Sequence, residues 1–553
     1  MVNLPGFESL DKIKRTYPYF DLVTRKFSYK KETKYYGGVP VLYDSEARRL
    51  YLDSGDTHSL VYGATGSLKT RAVVSPTIKI LGYAGESMII NDPKGELFAR
   101  HAGDLKKQGY RILEINFRDP SVGNAWNPLF IPYQFYLDGD YDNAAAFIHD
   151  IATNLAAMDK SESEPFWDEA AADCFSGLIQ LLFRYCKDHN ASIHAINIGN
   201  LFVLRRALFS NRQPAQNSIL WKYASEDEMV AASLSGTVYA AKETMNSILS
   251  ILDRKLRSFA IRPTLLDMLA NHDFELGDIT REKTAVFLIT PDEKTSYHAL
   301  VSMFIKQTYE YFIYRAAQRP DGKMENRLNY IIDEFSALPT IADMPAMISA
   351  ARSRDIRFLL VVQSKAALKQ RYTHESETII SNCTNWIFFT SRELDLLKEL
   401  SELCGVQRNN MPNISIYDLQ HFSKERREAL VLTGRLKPAK VNMLDIDQFG
   451  DKKYILLEHE KRDRQEREKL TFALSEEIRK RLVPNLPSNP FDETNPFHQK
   501  AVSRPSVPSP KIDVDGVLRR IDQRIEELEK EDGQTAQTES ADRMVSENEE
   551  KGE

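Results

Sequence analysis

The sequence predicts an α/β fold: a doubly wound parallel sheet interrupted by an all-α insertion. Three observations carry this expectation. First, short apolar runs recur along the chain, each bounded by turn or cap residues: SLVYG (59–63), SMIIN (87–91), RILEIN (111–116), AVFLIT (285–290), LNYIID (328–333), RFLLVVQ (357–363), WIFFT (386–390) and ALVLT (429–433). Several are apolar at nearly every position, as strands buried on both faces must be. Second, helical patterns lie between these runs, which is the alternation of a doubly wound sheet. Third, the series stops between about 160 and 280, where apolar residues recur at helical steps instead.

A chain of 553 residues exceeds what one hydrophobic core organises, so several domains are expected. Residues 1–50 read as an N-terminal segment with short strands. KFSYKKETKYYGGVPVLYDSEARRLYL, ending at Leu52, alternates polar and apolar residues around turn residues. The opening MVNLPGFESLDKIKRTYPYF is charged and lacks the apolar core of a signal peptide. No run of about 18 uninterrupted apolar residues occurs, so a cytoplasmic chain that does not cross a membrane by itself is expected. Residues 51–160 and 281–483 read as two parts of one α/β domain, with 161–280 as the all-α insertion. In SESEPFWDEAAADCFSGLIQLLFRYCKDH, Phe166, Ala170, Cys174, Leu178, Leu181, Leu182 and Tyr185 share a helix face, with Ser163 as N-cap and Pro165 in the first turn. TVYAAKETMNSILSILDRKLRSF reads as a second helical stretch.

Beyond about 483 the composition changes. Seven prolines fall between Pro484 and Pro510, with NPF triplets at 489–491 and 495–497, which read as turns in a disordered linker. Val514, Leu518, Ile521, Ile525 and Leu528 then form a short heptad-like helix. Residues 529–553 hold nine acidic and three basic residues, so this tail accounts for the net charge of −6 and leaves the remainder near neutral. Hydrophobic and charged contents of 42% and 27% are those of a soluble globular protein. Cys174, Cys186, Cys383 and Cys404 form no C-x-x-C pair, which argues against zinc and for buried thiols.

The site chemistry begins at GATGSLKT, residues Gly63, Ala64, Thr65, Gly66, Ser67, Leu68, Lys69 and Thr70. A phosphate loop needs a strand, a Gly-rich turn and a helix start, so that backbone N–H groups and the helix dipole hold the phosphates. SLVYG supplies the strand and TRAVVSPTIKIL the helix; Lys69 would neutralise β/γ-phosphate charge and Thr70 would ligate Mg²⁺. One residue departs from the pattern: Leu68 stands in a glycine's slot. NYIIDEFSAL (329–338) adds a strand ending in two acids. Asp333 suits the metal and Glu334 the polarisation of an attacking water, the division of labour that ATP hydrolysis requires. Gln363 ends the following apolar run, where an amide can sense the γ-phosphate or orient water. Between these runs, ISAARSRDIR carries Arg352 and Arg354, candidates for an arginine finger that completes a neighbouring subunit's site. Loop, acid pair and glutamine stand in the order expected of a RecA-type ATPase.

Three longer stretches resemble the type IV secretion coupling proteins of the TraG family. They are GATGSLKT through NDPKGEL to NAWNPL, then IIDEFSALPTIADMPAMISAARSRDIRFLLVVQS, then NCTNWIFFTSRELDLLKELSELCG. The resemblance covers roughly residues 50–450. It implies a RecA-like P-loop domain with an inserted all-α domain, ATP and Mg²⁺ as cofactors, and assembly as a homo-hexamer. It also implies partners: a relaxase with its bound single-stranded DNA, or an effector protein, and the components of the secretion channel. By motif position Lys69 and Thr70 are the loop residues, Asp333 and Glu334 the acid pair, Gln363 the glutamine and Arg352 the finger.

The family carries N-terminal transmembrane helices and this sequence shows none, so either a separate membrane anchor protein tethers the chain or it belongs to a soluble subset. Leu68 leaves a second reading open, a weakly or non-hydrolysing recruitment scaffold. A translocase acting on duplex DNA is a third, which NDPKGEL and NPL disfavour. DRKLRSFAIR (253–262) and EKRDRQEREK (460–469) are the local basic clusters that DNA phosphates would meet, or else solvated helix faces.

Overall fold

The computed structural model describes residues 6–28, 37–156, 165–210, 214–291, 297–407, 410–434, 436–450 and 454–482. Ser163, the NPF triplets, the heptad run and the acidic tail lie outside them.

Among the described residues, thirteen strands build two sheets. In chain order they are β1 (Tyr19–Asp21), β2 (Lys26–Phe27), β3 (Val39–Asp44), β4 (Arg49–Asp53), β5 (Ser59–Tyr62), β6 (Ser87–Asp92), β7 (Arg111–Asn116), β8 (Thr284–Ile289), β9 (Leu328–Ile332), β10 (Ile356–Val362), β11 (Asn385–Phe388), β12 (Glu428–Leu432) and β13 (Ala439–Asn442). The β-rich lead-in is a four-stranded antiparallel sheet of order β2-β1-β4-β3. The other eight apolar runs all become strands of one nine-stranded sheet, ordered β13-β12-β11-β5-β10-β9-β6-β8-β7. It is parallel from β11 to β7. β12 and β13 turn antiparallel and form a short edge hairpin, with the four-residue β13 too brief to register as an apolar run.

The near-continuous apolar character of the central runs has a direct cause. Alternate side chains serve two cores. Leu60 and Tyr62 of β5, Ile89 of β6, Tyr330 and Ile332 of β9, and Phe358 and Leu360 of β10 face one of them. Val61, Met88, Ile90, Ile331, Leu359 and Val361 face the other. Helices Ser75–Ala84 and Glu96–Lys107 cover the second face, through Ile78, Leu81, Phe98 and Leu105 among others. The first face is covered by helix His298–Ala317, and its core continues into the helices between β7 and β8.

No strand occurs between β7 and β8 among the described residues. Helix Pro165–Asp188 spans 24 residues, and Cys174, Leu178, Leu181 and Leu182 are fully buried along it, as the helical spacing requires. The second helical stretch is not continuous. It divides into Glu228–Val238 and Lys242–Ala260, because the backbone turns extended at Ala241 (φ −54°, ψ 146°). All four cysteines are buried and free. No helix among the described residues is long and apolar enough to cross a membrane.

The basic cluster at 460–469 is not a helix. Residues 454–474 carry no helix or strand and pass from the β7 edge to the helical insertion. Arg464 donates to the carbonyls of Pro120, Val122 and Gly123, and Arg467 pairs with Asp267. The amides of Asn197, Asn200 and Asn271 donate to the backbone carbonyls of Glu468 and Gln465. These arginines hold the chain's own backbone and acids. In the other cluster Lys255 is buried against Asp168 and the Ala156 carbonyl, while Arg254 and Arg257 are exposed.

At the N-terminal ends of the strands His58 is fully buried. Its Nδ1 accepts from the Phe358 N–H (3.0 Å), and its Nε2 lies 2.8 Å from the Ile348 carbonyl. That arrangement fits the neutral ring, and burial pushes the imidazole down to about 4. Because the folded value lies below the ordinary 6.5, the unfolded chain takes up the proton first. The contribution of His58 is therefore complete above pH 6.5 and is lost as pH falls toward 4, at about 1.4 kcal/mol per pH unit. A His58→Gln variant should show a flatter pH dependence than the parent across that window. Chemical-denaturation midpoints at pH 4.5, 5.5 and 6.5 measure the difference.

Candidate nucleotide site

The sheet order places the site. β10 stands between β5 and β9, so the phosphate-loop strand and the acid-pair strand are not neighbours. In the parallel register Tyr62 is level with Val362, and Leu360 with Ile332. Gly63, Gln363 and Asp333 therefore emerge side by side at the C-terminal edge, where an open α/β sheet binds its ligands.

The 63–70 segment is tied down at its start. Gly63 N–H donates to the Val362 carbonyl (3.3 Å) and Ala64 N–H to the Thr390 carbonyl (2.9 Å). Thr65 and Gly66 form the exposed tip, with Gly66 at φ +76°. A Cβ at Gly63 would stand 2.4 Å from Ser67 Oγ, so the close turn requires glycine there. Thr70–Val74 winds as a π-helical turn before helix Ser75–Ala84. Pro76 lacks an N–H, which removes an ordinary i→i−4 bond where the helix begins and favours the wider turn.

Lys69 is buried and folds back on the loop. Its Nζ donates to the carbonyls of Gly63 (2.6 Å) and Ala64 (3.2 Å). Burial lowers its pKa against the raising influence of Glu334 and Asp333. Thr70 Oγ1 donates to Asp333 Oδ2 (2.9 Å), joining the loop directly to the acid pair. Asp333 is buried and its pKa is raised by that burial and by Glu334, with Thr70 and Lys69 acting in the other direction. Glu334 has a left-handed backbone (φ 56°, ψ 43°), and its Oε2 accepts from Gln363 Nε2 (2.8 Å). The turn that presents Gln363 is fixed from two sides. Ser364 caps helix Lys365–Tyr372 by accepting from Ala367 N–H, and Glu393 accepts from the N–H groups of Lys365 and Ala366.

The structure thus unites the loop, Asp333, Glu334 and Gln363, and leaves Arg352 apart. Arg352 begins the short helical turn Arg352–Arg354 ahead of β10, at the opposite end of the strand from Gln363. There its Nη2 meets Asp56 Oδ1 (3.4 Å), and the side chain is 45% exposed. It cannot reach its own chain's loop.

The segment NDPKGEL contributes groups to which sequence reasoning gave no role. Asn91 Nδ2 donates to the Asp333 carbonyl (2.6 Å) and so holds the acid turn from β6. Asp92, level with Asp333 across the sheet, accepts from Phe98 N–H (2.7 Å). Burial, with a further push from Asp333, raises its carboxyl to about 6. Lys94 is exposed and close enough for its charge to depress that of Lys69. The signal was present, an Asn-Asp pair at the end of a buried strand.

Ser67 Oγ and Asn91 Oδ1, both buried at this edge, have no partner among the described residues. Together with the Gly63 and Gly66 geometry, the Lys69 ammonium and the Thr70–Asp333 pair, they fit a nucleoside triphosphate and a divalent cation. Leu68 stands at φ +71°, the left-handed conformation that glycine would take without strain. That strain, about 1–2 kcal/mol for a non-glycine residue, is already borne in the folded loop, so it is a cost of folding rather than of ligand binding. Leu68→Gly should therefore raise stability by no more than about 1 kcal/mol, because glycine's chain entropy offsets part of the relief. Its ADP dissociation constant should stay within about three-fold, a difference below 1 kcal/mol. Calorimetric titration decides; a ten-fold tightening would show that the leucine side chain crowds the nucleotide.

The family described as "Type IV secretory system Conjugative DNA transfer" matches residues 14–461. The chain belongs to that family. Its similarity to the Conjugal transfer protein TraG of Escherichia coli is 25% identity over 407 residues, 70% of this chain and 60% of that protein. Protein VirD4 of Agrobacterium fabrum is 22% identical over 405 residues, covering 71% and 56% of the two chains. The chain thus aligns with about 60% of the length of such relatives. Among solved structures, the plasmid coupling protein TrwB in complex with ADPNP superposes with a TM-score of 0.55 at 15% identity, covering 83% of this chain and 96% of that one. TrwB in complex with ADP and Mg²⁺ gives a TM-score of 0.56 at 14% identity, over 82% and 94%. These likenesses establish the RecA-like fold with its helical insertion.

Proposed function

We propose that this chain is an ATP-driven coupling protein, which recruits relaxase-bound single-stranded DNA or an effector protein and passes it to a type IV secretion channel. One observation carries the reading. Thr70 bonds to Asp333 and Gln363 bonds to Glu334, so loop, acid pair and glutamine form one connected site at the ends of three adjacent strands. Backbone N–H groups of 63–70 and Lys69 would hold the phosphates, and Thr70 with Asp333 would hold Mg²⁺. The cation, when bound, neutralises charge on the β- and γ-phosphates. Glu334 accepts the proton of the attacking water, and Gln363 fixes the carboxylate that does so. Lys69, released from the Gly63 and Ala64 carbonyls, turns its ammonium to the phosphates.

Arg352 lies at the wrong end of its own sheet for this site, which supports a role on a neighbouring copy's nucleotide in a homo-hexamer. The relaxase and the channel components are partners proposed from family membership. A separate membrane anchor protein would bring the chain from the cytoplasm to the inner face of the membrane. Steady-state phosphate release with and without single-stranded DNA tests the proposal. Stimulated turnover is expected; nucleotide binding without turnover under either condition would overturn it in favour of a recruitment scaffold.

A further inference from the structure

Helix His298–Ala317 is buried along most of its length, yet it carries a polar stripe. His298 Nδ1 lies 3.2 Å from the Ala337 carbonyl, and Ser302 Oγ donates to the Pro339 carbonyl (3.1 Å). Lys306 Nζ donates to Asp343 Oδ2 (2.9 Å), and Tyr309 OH to the Met347 carbonyl (2.9 Å). Positions 298, 302, 306 and 309 share one helix face. Their partners, 337, 339, 343 and 347, follow in the same order along the segment that joins the acid pair to Arg352. The helix therefore holds that segment in register like a rail.

Lys306 is the charged member of the rail. Its side chain is 3% exposed, and it also contacts Glu310 (2.7 Å) and Asp150 (3.6 Å). Burial opposes its charge, but Asp150, Glu310 and Asp343 together more than offset this and hold the ammonium above the ordinary lysine range. Asp343 has a left-handed backbone (φ 57°, ψ 19°) at the start of helix Met344–Ala351, which leads straight into Arg352. A strained residue persists where its surroundings over-determine it; the ammonium of Lys306 does so here. Asp150 lies on helix Tyr141–Ala156, which ends where Lys255 of the helical insertion donates to the Ala156 carbonyl (2.6 Å). One buried ammonium thus touches a helix running into the insertion and the segment between the acid pair and the arginines.

We propose that Lys306 is a positioning residue that sets the acid pair and Arg352 relative to each other, and transmits the state of the all-α insertion to the nucleotide site through Asp150 and Asp343. This rests on the ATPase reading above. None of the four rail residues is part of the phosphate loop, so the proposal separates turnover from nucleotide binding.

The full chain is compared with its Lys306→Met, Lys306→Arg and Asp343→Asn variants. Lys306→Met should lower DNA-stimulated kcat about ten- to a hundred-fold, the scale of a small misplacement, and leave the KM for ATP within about two-fold. Lys306→Arg should restore most of kcat. Asp343→Asn, at a side chain 67% exposed, should fold normally and fall in the same direction by less. Unchanged kcat in both Lys306→Met and Asp343→Asn would overturn the proposal. Should the parent hydrolyse no ATP, the functional reading fails, and amide hydrogen exchange still decides this one. Faster exchange confined to residues 335–351 in Lys306→Met supports positioning, and a uniform increase over the whole chain overturns it.

Discussion

Glu334→Gln is expected to lower ATP turnover by at least about 10²-fold, the usual scale for losing a general base. The substitution keeps shape and backbone. Glutamine fills the same volume, and the left-handed conformation at 334 (φ 56°) is as accessible to it as to glutamate. What changes is basicity. A neutral amide cannot accept the water's proton, and the bond from Gln363 Nε2 becomes amide to amide. Phosphate binding should survive, because Lys69 and Thr70 are untouched and Asp333 keeps its bonds from Thr70 Oγ1 and the Glu334 N–H. The expected signature is a collapsed kcat with the ATP dissociation constant within a few-fold, read by single-turnover kinetics beside equilibrium titration. Retained turnover in this variant would remove Glu334 from the chemistry and leave Asp92, whose carboxyl is raised to about 6, as the next carboxylate at this edge.

How much of this site the sequence displays depends on the range of each interaction. Gly63, Lys69 and Thr70 are legible because a phosphate loop is local: eight consecutive residues between a strand and a helix. Asp333, Glu334 and Gln363 are legible because each ends a buried apolar run, and ends of parallel strands converge. The order in which β5, β10 and β9 lie is not written in any of these runs; it is set by crossover packing, and only the sheet shows that Gln363 stands between loop and acids. The same limit explains Arg352. It reads as a finger for a neighbouring subunit, and only the fold shows that a whole strand length separates it from Gln363 of its own chain. The basic run at 460–469 is ambiguous in sequence for a related reason. Arginine spacing looks the same whether guanidiniums face phosphate or the chain's own carbonyls, and Arg464 is spent on three carbonyls more than 300 positions away.

The least legible contact has the second of the two largest expected effects. Arg357, at the start of β10, is fully enclosed. Its Nη2 meets Glu86 Oε2 (3.1 Å), its Nε donates to Asn329 Oδ1 (2.8 Å), and its Nη1 reaches the carbonyls of Gly37 and Gly55. Glu86, 1% exposed, also accepts from Gly37 N–H and from Asn329 Nδ2. In sequence Glu86 sits in a turn, AGES, where an exposed acid is the ordinary reading. Among the described residues it is the only carboxylate that directly pairs with Arg357, and it links the lead-in at Gly37 to the N-terminal ends of β6, β9 and β10. Burial pushes the guanidinium down to about 10, with Arg327 adding repulsion and Glu86 opposing both. Glu86→Gln keeps the shape and removes the charge, leaving Arg357 charged in the interior. Loss of one partner of a buried pair costs about 3–5 kcal/mol, a large share of the stability of a typical domain. Denaturation midpoints should fall accordingly. The double variant Glu86→Gln with Arg357→Met should recover part of that loss, because the uncompensated charge is gone while the Gly37 and Gly55 carbonyls still lack a donor. Additive losses in that cycle would mean that the pair contributes through shape and not through charge.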